Sequence, residues 1–272
     1  MNNESKSCQS GKNGKRGREE GDSSTATDRL SHLPEAIIYH ILSFLDTKSV
    51  VQTSVLSRVW QSEHVPVLNF RSASFQDYSS FQRYVDNVLS HRGPYNVSKI
   101  SYIDNERSKG LAFGLFGKVV QGEKSLRIFG PQLLSLKLKD LLCYKMEIVA
   151  PRLKFFRLLH DLESLVFSKL SVPCLGHVVF LVNDEDGFME EDQKGAAQHL
   201  VSFFQGLNNA TSLALNSYTI EVLSNISEVL EQQPSPFTRM KSFIVYADSI
   251  PYMLANYFLK GSSIMKPNVE FM

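Results

Sequence analysis

Gly110, Gly114 and the pair Gly117-Lys118 lie close enough together to suggest a loop that cradles phosphate through backbone N–H groups. The pattern fails twice: the first glycine is misplaced relative to the lysine, and Val119 stands where a magnesium-binding hydroxyl is required. Asp184, Glu185, Asp186, Glu190, Glu191 and Asp192 crowd carboxylates into one run, but without the alternating ligand spacing and closing glutamate of a calcium loop. An exposed insertion is the better reading. The seven histidines, His32, His40, His64, His91, His160, His177 and His199, show no metal-ligand spacing. No serine sits in a nucleophile elbow, and Cys8, Cys143 and Cys174 are too far apart for a zinc pair or a disulfide framework. The expectation is a chain with no catalytic constellation, no metal and no cofactor.

Composition is ordinary for a soluble chain. A 43% hydrophobic content and a formal net charge of +1 describe a globular chain and argue against binding nucleic acid by neutralising phosphates. The first twenty-seven residues hold no apolar core of a signal peptide, and the longest apolar runs, such as Val178–Val182, are too short to span a bilayer. Residues 1–27 read as a disordered polar tail, with Lys12, Lys15, Arg16 and Arg18 as a loose basic cluster.

The most ordered spacing begins after that tail. Pro34 suits the first position of a helix and Glu35 its positive end, predicting a helix from Pro34 to about Phe44. Ile37, Ile38, Ile41, Leu42 and Leu45 draw one apolar stripe along it. Thr47 can cap a second short helix carrying Val50, Val51, Ser54 and Val55, and Ser57 a third carrying Trp60, the chain's one tryptophan. Three such helices bury too little to stand alone, so they call for a partner or an adjoining domain.

The ordered set Leu33-Pro34, Ile37, Ile41-Leu42-Ser43-Phe44-Leu45, Thr47-Lys48, Thr53-Ser54-Val55-Leu56-Ser57 and Trp60 resembles an F-box of the type that plants couple to leucine-rich repeats. It departs from that pattern at Ala36 and Val59, where an acidic residue and an arginine are usual, and its third helix is about two residues short before Val65-Pro66-Val67-Leu68-Asn69-Phe70.

The remainder repeats. A unit Pro-x-Φ-x-x-Φ-x-Φ, with Φ apolar, occurs at Pro131 (Leu133, Leu136, Leu138), Pro151 (Leu153, Phe156, Leu158) and Pro173 (Leu175, Val178, Phe180), at spacings of 20 and 22 residues. Weaker copies are Val97, Ile100, Tyr102, then Ala210, Leu213, Leu215, then Met240, Phe243, Val245. The last two apolar positions share one strand face, and the first turns in from the loop before it. Phe75, Phe81, Tyr84, Val85, Val88 and Leu89 predict a helix leading into the array, and helical pieces such as Ala197–Phe204 and Ile220–Leu230 an outer layer. Pro267–Met272 reads as a further copy that stops before its strand is complete, which gives the chain the look of a shortened relative.

The expected fold is therefore α+β: a tail over 1–27, a small helical F-box over 28–70, and an irregular leucine-rich-repeat α/β solenoid over 71–272. What the resemblance implies is a non-catalytic adaptor of a ubiquitin ligase. Its F-box would dock on a Skp-type linker, and through it a cullin and a RING subunit, while the concave face of the repeats binds an unknown protein for ubiquitination. The residues implied for linker binding are Leu33, Pro34, Ile37, Ile38, Ile41, Leu42, Leu45, Val51 and Trp60. Neither nucleic acid nor membrane is an expected partner, and the expected location is nucleus and/or cytoplasm. The alternative is a repeat scaffold whose F-box has degenerated.

Overall fold

Proline opens each strong repeat because it turns a corner. Leu133 N–H donates to the Gly130 carbonyl at 3.1 Å, and the same four-residue turn recurs from Leu153 to Ala150 and from Leu175 to Val172, both at 3.0 Å. Pro131, Pro151 and Pro173 each occupy the second position, where a fixed φ favours the turn and a missing N–H costs nothing. The apolar residues at either end of the turn, such as Ala150 and Leu153, are both buried.

The computed structural model describes residues 33–55, 65–92, 97–103, 114–115, 125–139, 145–160, 166–183, 190–260, 262 and 268–270. Contacts divide the chain into two units, Met1–Leu33 and Pro34–Met272, of which the first is described only at Leu33. The tail, residues 110–113 and 116–118 of the glycine-rich run, and residues 184–189 of the acidic run lie outside the described residues.

The second unit begins with helices α1 (Glu35–Leu42) and α2 (Thr47–Thr53). Strand β1 (Val67–Arg71), a 3-10 turn (Ser72–Ser74) and helix α3 (Tyr78–Ser90) follow. Then come β2 (Lys99–Ile103), β3 (Gly114–Leu115), β4 (Ser125–Phe129), β5 (Ser135–Lys139), β6 (Lys145–Val149), β7 (Phe155–His160), β8 (Val166–Ser171) and β9 (His177–Val182). The C-terminal part holds α4 (Glu190–Gln205), β10 (Ser212–Asn216), α5 (Ser217–Ser224), α6 (Ser227–Glu231), β11 (Ser242–Tyr246), α7 (Tyr252–Leu259) and β12 (Asn268–Glu270).

Among the described residues every strand pair is parallel. Strands β1-β2-β5-β7-β9-β10-β11-β12 make an eight-stranded sheet, and β3-β4-β6-β8 a four-stranded one. The chain thus coils, alternating between two sheets, and the apolar positions stack in rows. Leu68, Ile100, Leu136, Phe156, Val178, Leu213 and Phe243 are partners in one row; Phe70, Tyr102, Leu138, Leu158, Phe180, Leu215 and Val245 form the next. Every Φ position of the six predicted copies is buried.

Three expectations change. Between β4 and β9 the outer layer is strand, not helix, because Leu126 and Ile128, Met146 and Ile148 alternate with period two and bury one face. Helices take over that layer only from α4, which packs against β8. Second, Val67–Arg71, which crosses the expected boundary at residue 70, is the first strand of the large sheet: Val65, Leu68 and Phe70 repeat the Φ-x-x-Φ-x-Φ spacing and all are buried. Third, the last copy has another register: Asn268–Glu270 form a short strand in which Val269 pairs with Val245. Val269 is therefore the final apolar position of its unit, not the first.

A chain of aromatic rings links both sheets to α4 and α7. Phe203 lies 5.2 Å from Phe180 and 4.1 Å, stacked, from Phe167, and Phe204 lies 5.5 Å from Phe258. The array is one contiguous core from Leu68 to Phe258.

Candidate functional site

Helix α1 starts one residue later than predicted and ends two earlier. Pro34 is its cap, with φ −55° and ψ 140°, and Ser43 closes it. Tyr39 Oη donates to the Glu35 carboxylate one turn back, and burial together with that neighbour pushes the phenol up to about 12.

The apolar stripe divides lengthwise. Ile38 and Leu42, four residues apart, are 0% and 1% exposed, while Ile37, Ile41 and Phe44 are 46%, 38% and 74% exposed. Pro34 is exposed on the same side of the sequence pattern, and Leu33, Leu45 and Val51 are half-buried. Ile38 and Leu42 were expected to touch a partner; their side chains instead face inward, because an i, i+4 pair shares one face and here that face meets the chain itself. Trp60 and the predicted third helix lie outside the described residues. Phe44 and Val55, both part of the F-box pattern, were not in the residues implied for linker binding, and Val55 is 87% exposed. Phe44 was legible in principle, since 37, 41 and 44 follow the i, i+4, i+7 rule.

Helix α2 joins this surface to the repeats. Its cap is Asp46, which accepts from Ser49 N–H at 2.8 Å, and not Thr47. Thr47 has another task. Its buried hydroxyl accepts the Asn69 N–H of β1 at 2.6 Å. Lys48 donates to the Ser74 carbonyl and holds its ammonium 4.4 Å from the Phe75 ring centre, a cation–π contact. Burial, aided by Asp46, raises the pKa of the nearby Tyr84.

The open face of the large sheet is the second candidate surface. Residues between the buried rows point outward: Arg71 from β1, Lys99 and Ser101 from β2, Lys137 from β5 and Arg157 from β7. With Asn69, Ser135, Ile103 and Leu159 they line a groove of about 490 Å³ that also touches Lys139 and, among the described residues, is lined by no carboxylate. Further along, the same row continues with the apolar Val179, Ala214 and Ile244, of which Ala214 is buried. These positions are the unbound x of the repeat and were legible only by their alternation with the core.

Two findings from known proteins bear on this. Residues 30–62 match the F-box domain family model. An F-box/LRR-repeat protein of Arabidopsis thaliana is 36% identical over 110 residues, covering 34% of this chain and 21% of the relative. An F-box/FBD/LRR-repeat protein of the same plant is 37% identical over 94 residues, 33% of this chain and 21% of the relative. An FBD-associated F-box protein, also from Arabidopsis thaliana, is 46% identical over 68 residues, 24% and 15% respectively. The matched stretches thus span about a fifth or less of these relatives' length. No solved structure matches the chain. Among the described residues no helix is long and apolar enough to cross a membrane. The chain carries an F-box domain and is similar to plant F-box/LRR-repeat and FBD-associated F-box proteins.

Proposed function

We propose that this protein is the target-recognition adaptor of a Skp–cullin–F-box ubiquitin ligase. The surface of α1 docks on the Skp-type linker, which brings the cullin and RING subunit, and the open face of the large sheet binds the protein to be ubiquitinated. The adaptor performs no chemistry itself: it raises the target's effective concentration beside the ligase's catalytic subunits. It acts in the nucleus and/or cytoplasm.

The observation that carries this reading is the outward row Ile37, Ile41 and Phe44, three large apolar side chains exposed inside the F-box match. Such clusters mark interaction surfaces, whereas a chain that only needed its own core would place polar residues there. Leu33 and Pro34 join the docking surface on the strength of the family resemblance, as do Leu45, Val51 and Trp60.

Ile37→Asp with Ile41→Asp in the full chain tests it. Buried interface anchors are worth about 2 kcal/mol or more each, so linker affinity falls on the order of a thousandfold if the two add. Far-UV circular dichroism stays unchanged, since both side chains are already exposed. Undiminished binding of the double variant to the linker removes the adaptor assignment.

A further inference from the structure

The two sheets treat their charges differently. On the small sheet, Arg127, Glu147 and Lys169 are consecutive partners in one row, so a carboxylate stands between two cations. The ion pairs form, Arg127 Nε to Glu147 at 3.3 Å and Lys169 Nζ to Glu147 at 3.6 Å. On the large sheet the corresponding row reads Asn69, Ser101, Lys137, Arg157. Lys137 and Arg157 are direct partners, a like-charge juxtaposition that costs stability. Lys99 and Arg71 lie in the flanking rows, and among the described residues no carboxylate comes within ion-pair distance of Arg71, Lys99, Lys137 or Arg157.

Among the described residues, cations are paired with a carboxylate on one sheet and gathered, facing a groove, on the other. A repulsive cluster held in a concavity is relieved by an anionic occupant. From this we infer that the groove over β1, β2, β5 and β7 recognises an acidic segment of the target protein, a reading that rests on the adaptor proposal above. Three strand spacings separate β1 from β7, about 14 Å, the reach of roughly four extended residues. Asn69, Ser101 and Ser135 offer hydrogen bonds between the cations, and Ile103 and Leu159 give an apolar residue of the segment a place to rest. Those apolar neighbours and the short span favour a peptide over a nucleic acid, which draws its affinity from many phosphate contacts. The anion comes from Asp and Glu side chains or from phosphorylated serine; both present oxygen acceptors to Arg and Lys.

The test uses the full chain and four fluorescent probes: a short Asp/Glu-rich peptide with one leucine, its phosphoserine counterpart, the same peptide with lysines, and a single-stranded RNA of similar length. Binding of either anionic peptide, absent for the lysine peptide and weaker for RNA, is expected, and it declines with added salt. Lys137→Glu and Arg157→Glu each lower that affinity by about tenfold or more, while Lys145→Glu on the other sheet leaves it unchanged. Each swap replaces a like-charge pair with an opposite one, so the thermal midpoint holds or rises and misfolding does not imitate the result. Failure of both anionic peptides to bind, equal or tighter binding of RNA, or equal loss in Lys145→Glu overturns the inference. Linker binding, measured on the same samples, is independent: retained linker binding without peptide binding sinks only the acidic-segment inference, and the reverse sinks only the adaptor assignment.

Discussion

Thr47 illustrates how one hydroxyl settles a junction. Asn69 N–H lies on the side of β1 that no other strand pairs, and Thr47 Oγ1 supplies its acceptor. Thr47→Val keeps the shape and leaves that N–H unsatisfied, an expected loss of about 1–3 kcal/mol in urea unfolding. Neighbours in α1 are expected to diverge in the same assay: Ile38→Ala removes a fully buried side chain and costs about 2–5 kcal/mol, whereas Ile37→Ala stays within about 0.5 kcal/mol. Equal losses at the two positions contradict the division of the helix into inner and outer faces. Asp77 adds a pH dependence. Bonds from the Ser80 hydroxyl and N–H hold its carboxyl below the usual carboxylate value. A depressed native pKa means that the cap on α3 helps folding above the unfolded carboxylate range and fades as pH falls through the native value. Asp77→Asn is expected to flatten that acid limb of the stability curve.

Elements show why some of the fold was legible and some was not. The strand positions read correctly from Pro131 to Val245 because each apolar residue has to fill a row fixed by its neighbours. The outer strands β4, β6 and β8 went unread, since spacing of the Φ positions says nothing about how the return segment is built. Gly130 belongs to that return: a Cβ there would lie 2.8 Å from the Leu133 Cβ, so Gly130→Ala forces the turn apart. The exposed half of α1 was blurred for another reason. Adjacent residues on a helix are only 100° apart, so one continuous stripe can serve a core and a partner at once. Asn216 was equally silent in the sequence. It donates to the Val182 carbonyl at 2.7 Å, accepts from the Val182 N–H at 3.1 Å, and caps α5 by accepting from Thr219. Asn216→Asp loses the donated bond, and Asn216→Ala loses all of them, for an expected drop of about 1–3 kcal/mol or more by thermal unfolding.

At the scale of the molecule, a parallel array has two exposed flanks, and unpaired strand edges invite self-association. Here α2 covers the β1 flank through Thr47 and Lys48. Deleting residues 1–55 is therefore expected to produce a repeat fragment that self-associates, visible as concentration-dependent light scattering, beyond what loss of a passive module would cause. A monomeric fragment at all concentrations contradicts that role for α2.

The same joint has a geometric consequence. Because α2 is fastened to the first strand, the array works as a lever arm with its fulcrum at the F-box, and eight strands extend it by about 34 Å. On the adaptor proposal, cargo held over β1 to β7 would ride close to the fulcrum, where small bending of the arm moves it little, and cargo held over β10 to β12 would swing through the widest arc. Under the adaptor proposal, the strands that grip the target would decide how tightly the angle at Thr47 aims its lysines at the ligase, and lengthening or shortening the array beyond β7 would leave a target held near the fulcrum aimed as before.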